Sequence, residues 1–251
     1  MRVESLILEL TRQCNMKCGH CLRGDAQNLN MDVREVVTAL RDNDIEEVGC
    51  LTLTGGEVSL FPAMIELVRE AIAYLKFDVD YFYVVTNAKK YSEKFATALD
   101  HLAWHTNEDW NVLSVSKSKY HGYEGQDDTV GRRYEERFEE QDVRVSIEYR
   151  ADLSDGQLLN MGRAKENQLR GGMKEPEMWD MKIKGDQIEE LYVAANGDII
   201  PSCDLSYEEA DRVKLGNILT TKLADMMPVV PDEFQPVMAT EAELQLSLEV
   251  A

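Results

Sequence analysis

Basic residues are scarce in this chain of 251 residues: 27 Lys and Arg face 47 Asp and Glu, a formal charge of −20 at pH 7. So acidic a chain lacks the broad cationic surface that binds nucleic acid or anionic lipid, and only a local basic patch is still allowed. Long apolar runs are lacking too; none approaches the roughly 18 residues of a membrane span. Met1–Leu10 carries Arg2, Glu4 and Glu9 and has no leader pattern of charge followed by an apolar stretch, so a cytoplasmic protein is expected. Prolines number six, three of them between Pro228 and Pro236, and no basic residue follows Lys222. Residues 223–251 therefore read as an acidic, Pro-containing tail, in which Ala242–Leu248 has the pattern for a turn or two of helix. Repeats are absent. An even set of spaced cysteines is also missing: of Cys14, Cys18, Cys21, Cys50 and Cys203, three crowd into one short stretch. That is a poor disulfide framework and, in a reducing compartment, points to a metal or a cluster.

What is present is a globular composition. Hydrophobic residues at 44% and charged residues at 29% imply a packed core. Strand patterns at Ser5–Leu10, Val48–Thr54, Tyr81–Thr86, Val112–Ser116 and Val143–Tyr149 alternate with helical ones at Val33–Arg41, Phe61–Leu75, Tyr91–Leu102 and Thr129–Gln141. A short helical stretch is expected from about Leu153. Strand and helix alternating at this spacing imply an α/β fold with a parallel sheet, either doubly wound or rolled into a barrel. After about Met161 the pattern changes. Gly171-Gly172 mark a break, and Ile188–Ala194 and Asp198–Pro201, on either side of Asn196-Gly197, read as a β-hairpin with a two-residue turn.

The chemistry is expected at Cys14-Asn15-Met16-Lys17-Cys18-Gly19-His20-Cys21, directly after the first strand. Three thiolates in one loop can ligate three irons of a cubane and leave the fourth open to a ligand. A zinc site using the same cysteines with His20 or Cys50 is the alternative. Thr54-Gly55-Gly56-Glu57 ends the second strand, where paired glycines admit close backbone approach. In parallel α/β folds ligands sit beyond the carboxyl ends of the strands, and the candidates cluster there.

The Cys-x3-Cys-x2-Cys loop, with His20 before its last cysteine, resembles the cluster loop of the radical S-adenosylmethionine superfamily, and Gly55-Gly56-Glu57 is similar to its Gly-Gly-Glu motif. Thr86-Asn87-Ala88 resembles the Thr-Asn-Gly ending of the third strand, with Ala88 in the last place. Ser114-Val115-Ser116 looks like the Ser-x-Asp of the fourth, with Ser116 for the acid. The resemblance implies a partial (β/α)6 TIM-like barrel over residues 1–165. It implies a [4Fe-4S] cluster on Cys14, Cys18 and Cys21, with S-adenosylmethionine held by Gly55, Gly56 and Glu57 at its amino group and by Ser114 and Ser116 at its ribose. Lys117, Lys119 and Arg150 are candidates for its carboxylate; His20, Asn87 and Glu148 complete the set.

Met161-Gly162-Arg163-Ala164 and the run Asn196–Cys203 followed by Leu215–Ile218 resemble the extensions called SPASM or twitch, so residues 166–222 are expected to form a small subdomain containing the β-hairpin. One cysteine cannot hold a second cluster, and Cys203 and Cys50 read as small buried hydrophobes. The family implies reductive cleavage of S-adenosylmethionine and hydrogen abstraction from a substrate, which is a peptide or a small metabolite. It also implies an acidic flavodoxin- or ferredoxin-type donor, for which Arg12, Lys17 and Arg23, opposed nearby only by Asp25, are the expected docking patch. A metal-stabilised scaffold without catalysis is the reading from another class.

Overall fold

The computed structural model describes residues 1–150, 158–169 and 176–230. Its strands are β1 Arg2–Thr11, β2 Glu47–Gly55, β3 Asp78–Thr86, β4 Asn111–Ser116, β5 Val145–Arg150, β6 Ile183–Lys184, β7 Gln187–Val193, β8 Asp198–Ile200, β9 Gly216–Asn217 and β10 Val229–Val230. They form one sheet in the order β10-β6-β7-β1-β2-β3-β4-β5, with β8 joined to β7 and β9. The helices are α1 Val33–Asp42, α2 Pro62–Leu75, α3 Glu93–Ala103, α4 Lys119–Tyr123, α5 Val130–Glu140, α6 Gly162–Glu166, α7 Tyr207–Val213 and α8 Leu223–Met226.

The pairs from β1 to β5 are all parallel, and the sheet does not close: it is an open, partial TIM-like α/β fold. Among the described residues a sixth strand runs parallel on the other side of β1. It is β7, hydrogen-bonded to the far edge of β1 with Ser5 opposite Glu190 and Ile7 opposite Tyr192. An unpaired edge beside a long buried strand is a liability, and the apolar Ile188, Leu191 and Val193 of β7 let it cover that edge and enter the main core. The hairpin β7–β8 forms where the sequence indicates, with Tyr192 opposite Ile200. Its loop, however, is the three-residue Ala195–Gly197, bracketed by the Ala194 N–H on the Asp198 carbonyl (2.9 Å) and tightened by the Gly197 N–H on the Ala194 carbonyl (2.8 Å) with Gly197 at φ +83°, rather than the two residues Asn196-Gly197.

The helices form where caps and periodicity agree. The Asp32 side chain accepts the Glu35 N–H at the start of α1, which buries Val33, Val36, Val37 and Leu40; Ser92 caps α3 in the same way at Phe95. These apolar stripes meet Leu6, Leu8 and Leu10 of β1, Leu51 and Leu53 of β2, Phe82 and Val84 of β3, and Leu113 and Val115 of β4. Side-chain alternation puts Ser5, Cys50, Thr52, Thr54, Tyr81 and Tyr83 on the opposite face, where they are half-buried. Over β1 and β7 that face is covered by a small cluster of Ile7, Tyr192, Ala194, Ile200, Leu205 and Ala210. Among the described residues no helix is long and apolar enough to cross a membrane. The Gly171-Gly172 break, the Ala242–Leu248 pattern and the start of the stretch at Leu153 lie outside the described residues.

Candidate functional site

The loop after β1 is pinched at its base by the Arg12 N–H on the Leu29 carbonyl (2.9 Å) and the Gln27 N–H on the Arg12 carbonyl (3.0 Å). Inside it Cys18 is buried, while Cys14 and Cys21 are half-buried, and all three are free thiols. They sit against Met16, Tyr120 and Leu158. Burial holds the Cys14 thiol above its ordinary value; burial, with Cys21 and Cys14 close by, pushes Cys18 up to about 12. His20 stacks on Tyr120 with ring centroids 4.6 Å apart and meets His121 edge-on. Burial first, and His121 second, lower His20 to about 4.

Gly55 and Gly56 serve the cysteine loop directly. The Gly56 N–H donates to the Thr11 carbonyl (2.7 Å) and the Glu57 N–H to the Gln13 carbonyl (2.8 Å). A Cβ on Gly55 would collide with the Thr11 carbonyl, and one on Gly56 with the Gln13 carbonyl. The close approach expected of these glycines is therefore met by the chain's own backbone. Glu57 is buried, and both of its oxygens have protein donors. Oε1 accepts the Ser59 N–H (3.0 Å) and the Thr86 hydroxyl (2.6 Å); Oε2 accepts the Asn87 N–H (2.6 Å). Burial raises its carboxyl above the usual range, and these donors work against that shift.

Asn87 extends the chain of contacts back to the thiols. Its side-chain amide donates to Asn15 Oδ1 (2.9 Å) and lies 3.7 Å from Cys14 Sγ. Ala88, the residue in the glycine place, adopts φ +46°. The Gln126 amide then donates to the Asn87 and Ser116 carbonyls (2.6 and 2.7 Å), joining the ends of β3 and β4. Gln126, Asn15 and Lys89, whose ammonium donates to the Asn15 carbonyl (3.1 Å), carry no motif that sequence reading could have used.

Ser114 is opposite Glu148 and Ser116 opposite Arg150 across β4 and β5. Ser114 is buried, whereas Glu148 and Arg150 are exposed. Ser114, Glu148 and Arg150 surround the Tyr83 hydroxyl, which burial raises above its ordinary value, so Glu148 belongs to the sheet face turned away from the helices. Lys117 pairs with Asp128 (3.5 Å), and the Lys119 ammonium lies 5.1 Å from the centre of the Tyr120 ring.

The expected docking patch is not on the surface. Arg12 is buried in an ion pair with Glu9 (3.0 Å) and lies over the Tyr207 ring. Arg23 donates to the Leu205 carbonyl (2.9 Å) and the Tyr192 hydroxyl (2.8 Å). Only Lys17 of the three is exposed. The buried Glu9 explains this, since a carboxylate at the end of β1 needs a cation, and sequence reading placed no charge inside. The two remaining cysteines are also less enclosed than expected. Cys50 is half-buried beside Thr52 on the open sheet face, and Cys203 donates to the Asp204 carboxylate.

Among the described residues, no three His, Cys, Asp or Glu side chains are arranged around a single metal ion. A cubane takes one thiolate per iron, so its ligands enclose a volume rather than a point. The donor set fits such a group. Three thiols lie close together, burial disfavours the thiolate form of two of them, a cost that a bound cationic centre would offset, and the buried His20 Nδ1 without a protein partner leaves a polar contact open beside them.

Residues 8–108 match the family model of the Radical SAM superfamily. No curated protein matches the chain. Among solved structures, native anSMEcpe with bound AdoMet and Cp18Cys peptide is similar at a TM-score of 0.58 and 14% identity, covering 90% of this chain and 80% of that one. BtrN in complex with AdoMet and 2-DOIA gives 0.51 and 19%, covering 89% and 81%. Streptococcus suis SuiB gives 0.50 and 14%, covering 88% and 64%. At these identities the likeness is one of fold.

Proposed function

This chain belongs to the radical SAM superfamily of enzymes, and from that premise we propose that Cys14, Cys18 and Cys21 hold a [4Fe-4S] cluster beside bound S-adenosylmethionine. When bound, the cluster supplies the electron that cleaves S-adenosylmethionine to methionine and a 5′-deoxyadenosyl radical, which abstracts hydrogen from the substrate.

One observation carries the reading: the cysteine loop, Gly55–Glu57 and Thr86–Asn87, far apart in sequence, are bonded to one another at the carboxyl ends of β1, β2 and β3. Glu57 acts through Thr86 and Asn87, whose placement it fixes. Asn87 orders the loop beside Cys14. Ser114, Ser116 and His20 line the place for the nucleoside part, and Arg150 with Glu148 the place for charged groups. Residues 1–165 form the catalytic core in this reading, and 166–222 an extension without a cluster of its own.

The substrate is a peptide. The sheet face over β2 to β5, with Thr52, Thr54 and Tyr83 half-buried and Glu148 and Arg150 exposed, offers hydrogen-bonding groups along several strands, as an extended chain requires. Likeness in fold to anSMEcpe, whose structure holds a peptide, supports this. The same hydroxyl-rich face also suits a small polar metabolite, the second reading. In this reading the electron donor is of the flavodoxin or ferredoxin type, and of the three expected docking cations it meets only Lys17, since Arg12 and Arg23 are engaged inside.

Anaerobic reconstitution with iron, sulfide, dithionite and S-adenosylmethionine tests the proposal. Iron and sulfide matching one cubane, and 5′-deoxyadenosine that disappears in Cys14→Ala, are expected. Zinc in place of iron, or no 5′-deoxyadenosine under reducing conditions, would overturn it.

A further inference from the structure

The two halves of the cysteine loop are held by different parts of the chain. The first half is fastened to the sheet by Gly56, Glu57, Asn87 and Lys89, which bond Thr11, Gln13 and Asn15. The second half is fastened from the far end of the sequence. The Asn167 amide donates to the Gly19 carbonyl (2.8 Å), the Arg163 N–H to the Cys21 carbonyl (2.9 Å) and the Tyr207 N–H to the Arg23 carbonyl (3.1 Å). The Arg23 guanidinium returns two bonds, to the Leu205 carbonyl and the Tyr192 hydroxyl, and lies 5.1 Å from the centre of the Tyr192 ring. The Arg163 side chain also binds Asp25 (2.9 Å).

The backbones meet closely where this happens. Gly162, at φ +48°, opens α6 so near the loop that a Cβ there would lie 2.6 Å from the Cys21 carbonyl. Left-handed φ and contact with a carbonyl both call for glycine at this position. The hairpin turn joins in from the other side, where Glu9 Oε2 accepts both the Arg12 guanidinium (3.0 Å) and the Ala195 N–H (3.1 Å). A surface loop of this length otherwise moves freely. Here four anchor points, Gly19, Cys21, Arg23 and Asp25, are taken by donors from α6, from Asn167 just after it, or from the start of α7.

We propose that α6 with Asn167, together with Tyr192, Leu205 and Tyr207 of the extension, forms a retaining jaw that fixes the Gly19–Asp25 half of the loop. Arg23 is its central positioning residue. The extension, lacking cysteines for a cluster of its own, thereby serves the one cluster the chain can hold: with α6, which bonds Cys21 directly, it sets the second half of the loop against a Cys14 already fixed by the sheet. The fixation stands on hydrogen bonds alone; its consequence for iron retention rests on the proposed function.

The test uses the full chain in two arms. Hydrogen exchange of the metal-free protein, read on peptides spanning residues 14–25, compares wild type with Arg23→Met, Tyr192→Phe and Asn167→Ala. Exchange should rise about tenfold in Arg23→Met, which loses two bonds to buried partners, and about threefold in each of the others, which lose one. Peptides from β2 to β4 should be unchanged. In the second arm, reconstituted protein is challenged with an iron chelator, and the variants should release iron faster in the same order. Loop exchange equal to wild type in all three variants would overturn the jaw, as would a rise shared equally by β2 to β4, which marks general loosening. Tyr192→Phe and Asn167→Ala, each removing a single polar contact, keep the test decisive if Arg23→Met fails to fold. If wild type takes up no iron, the proposed function falls while the exchange arm still decides the jaw.

Discussion

Both oxygens of Glu57 accept hydrogen bonds from β3 or from the turn after β2, so this carboxylate is a joint between strand ends. Replacing it by Gln keeps the shape but turns an NH2 group toward a backbone N–H or a hydroxyl donor. Glu57→Gln should cost about 1–3 kcal/mol, the penalty of a buried donor left without an acceptor, measured by urea unfolding. A variant as stable as wild type would mean that Glu57 is already protonated in the native state and donates a bond of its own. Gly56 has as little freedom. Gly56→Ala should cost about 2–3 kcal/mol by the same measurement, because its Cβ meets the Gln13 carbonyl, which is itself hydrogen-bonded and cannot move away. The motif Gly-Gly-Glu was visible in the sequence, and so was the end of the strand on which it lies. Its partners Thr11 and Gln13 were not, since they contribute backbone carbonyls, and a carbonyl has no residue type.

Elements with a full period and a cap were legible, and short ones were not. Val33 to Leu40 and Pro62 to Leu75 carry an apolar stripe long enough to recognise, and α1 and α2 follow them closely. α4, at five residues, and β6, β9 and β10, at two residues each, are too short to show any period; tertiary pairing alone makes them. The same distinction explains the sixth parallel strand, since periodicity identified β7 but could not say which edge it would join. Pairing between helices can be tested through pH. Glu66 of α2 accepts the Arg69 guanidinium (2.9 Å) and lies 2.7 Å from His101 Nδ1 of α3. Burial pushes its carboxyl up, but the bonds from Arg69 and His101 outweigh this and hold it below the ordinary 4.5. A depressed acid contributes stability that is present above the unfolded-state value and lost as pH falls through the folded-state one. The Tm advantage of wild type over Glu66→Gln should therefore be present above pH 4.5 and shrink as pH drops below it. An advantage constant from pH 7 to pH 3 would show that the carboxylate charge has no part in the α2–α3 contact.

At the scale of the molecule, the charge of −20 was exact from composition, but its distribution was not. Cations near the loop turn inward: Arg12 is buried against Glu9, Arg23 is bonded to Tyr192, and Arg163 is paired with Asp25. The sequence showed basic residues beside the cysteines; the fold uses them to hold the loop, which leaves the outer surface more uniformly acidic than a count of neighbours suggests. Like charges at that density repel one another across the compact state more than in the expanded chain. Salt at about 0.5 M cuts the screening length to well under that at about 10 mM, so it should relieve this repulsion while the buried Glu9–Arg12 pair is little affected. Exposed pairs such as Arg41–Glu46 and Arg144–Asp109 are weakened by the same screening, but pairs of this kind contribute at most about 1 kcal/mol each. The repulsive sum should dominate. Thermal unfolding between these two salt concentrations should show Tm rising by about 2–4 °C, corresponding to about 1 kcal/mol for a chain of this size. A Tm that falls with salt would place the balance with the exposed pairs, and the acidic surface would then be a mosaic of local attractions rather than a repelling field.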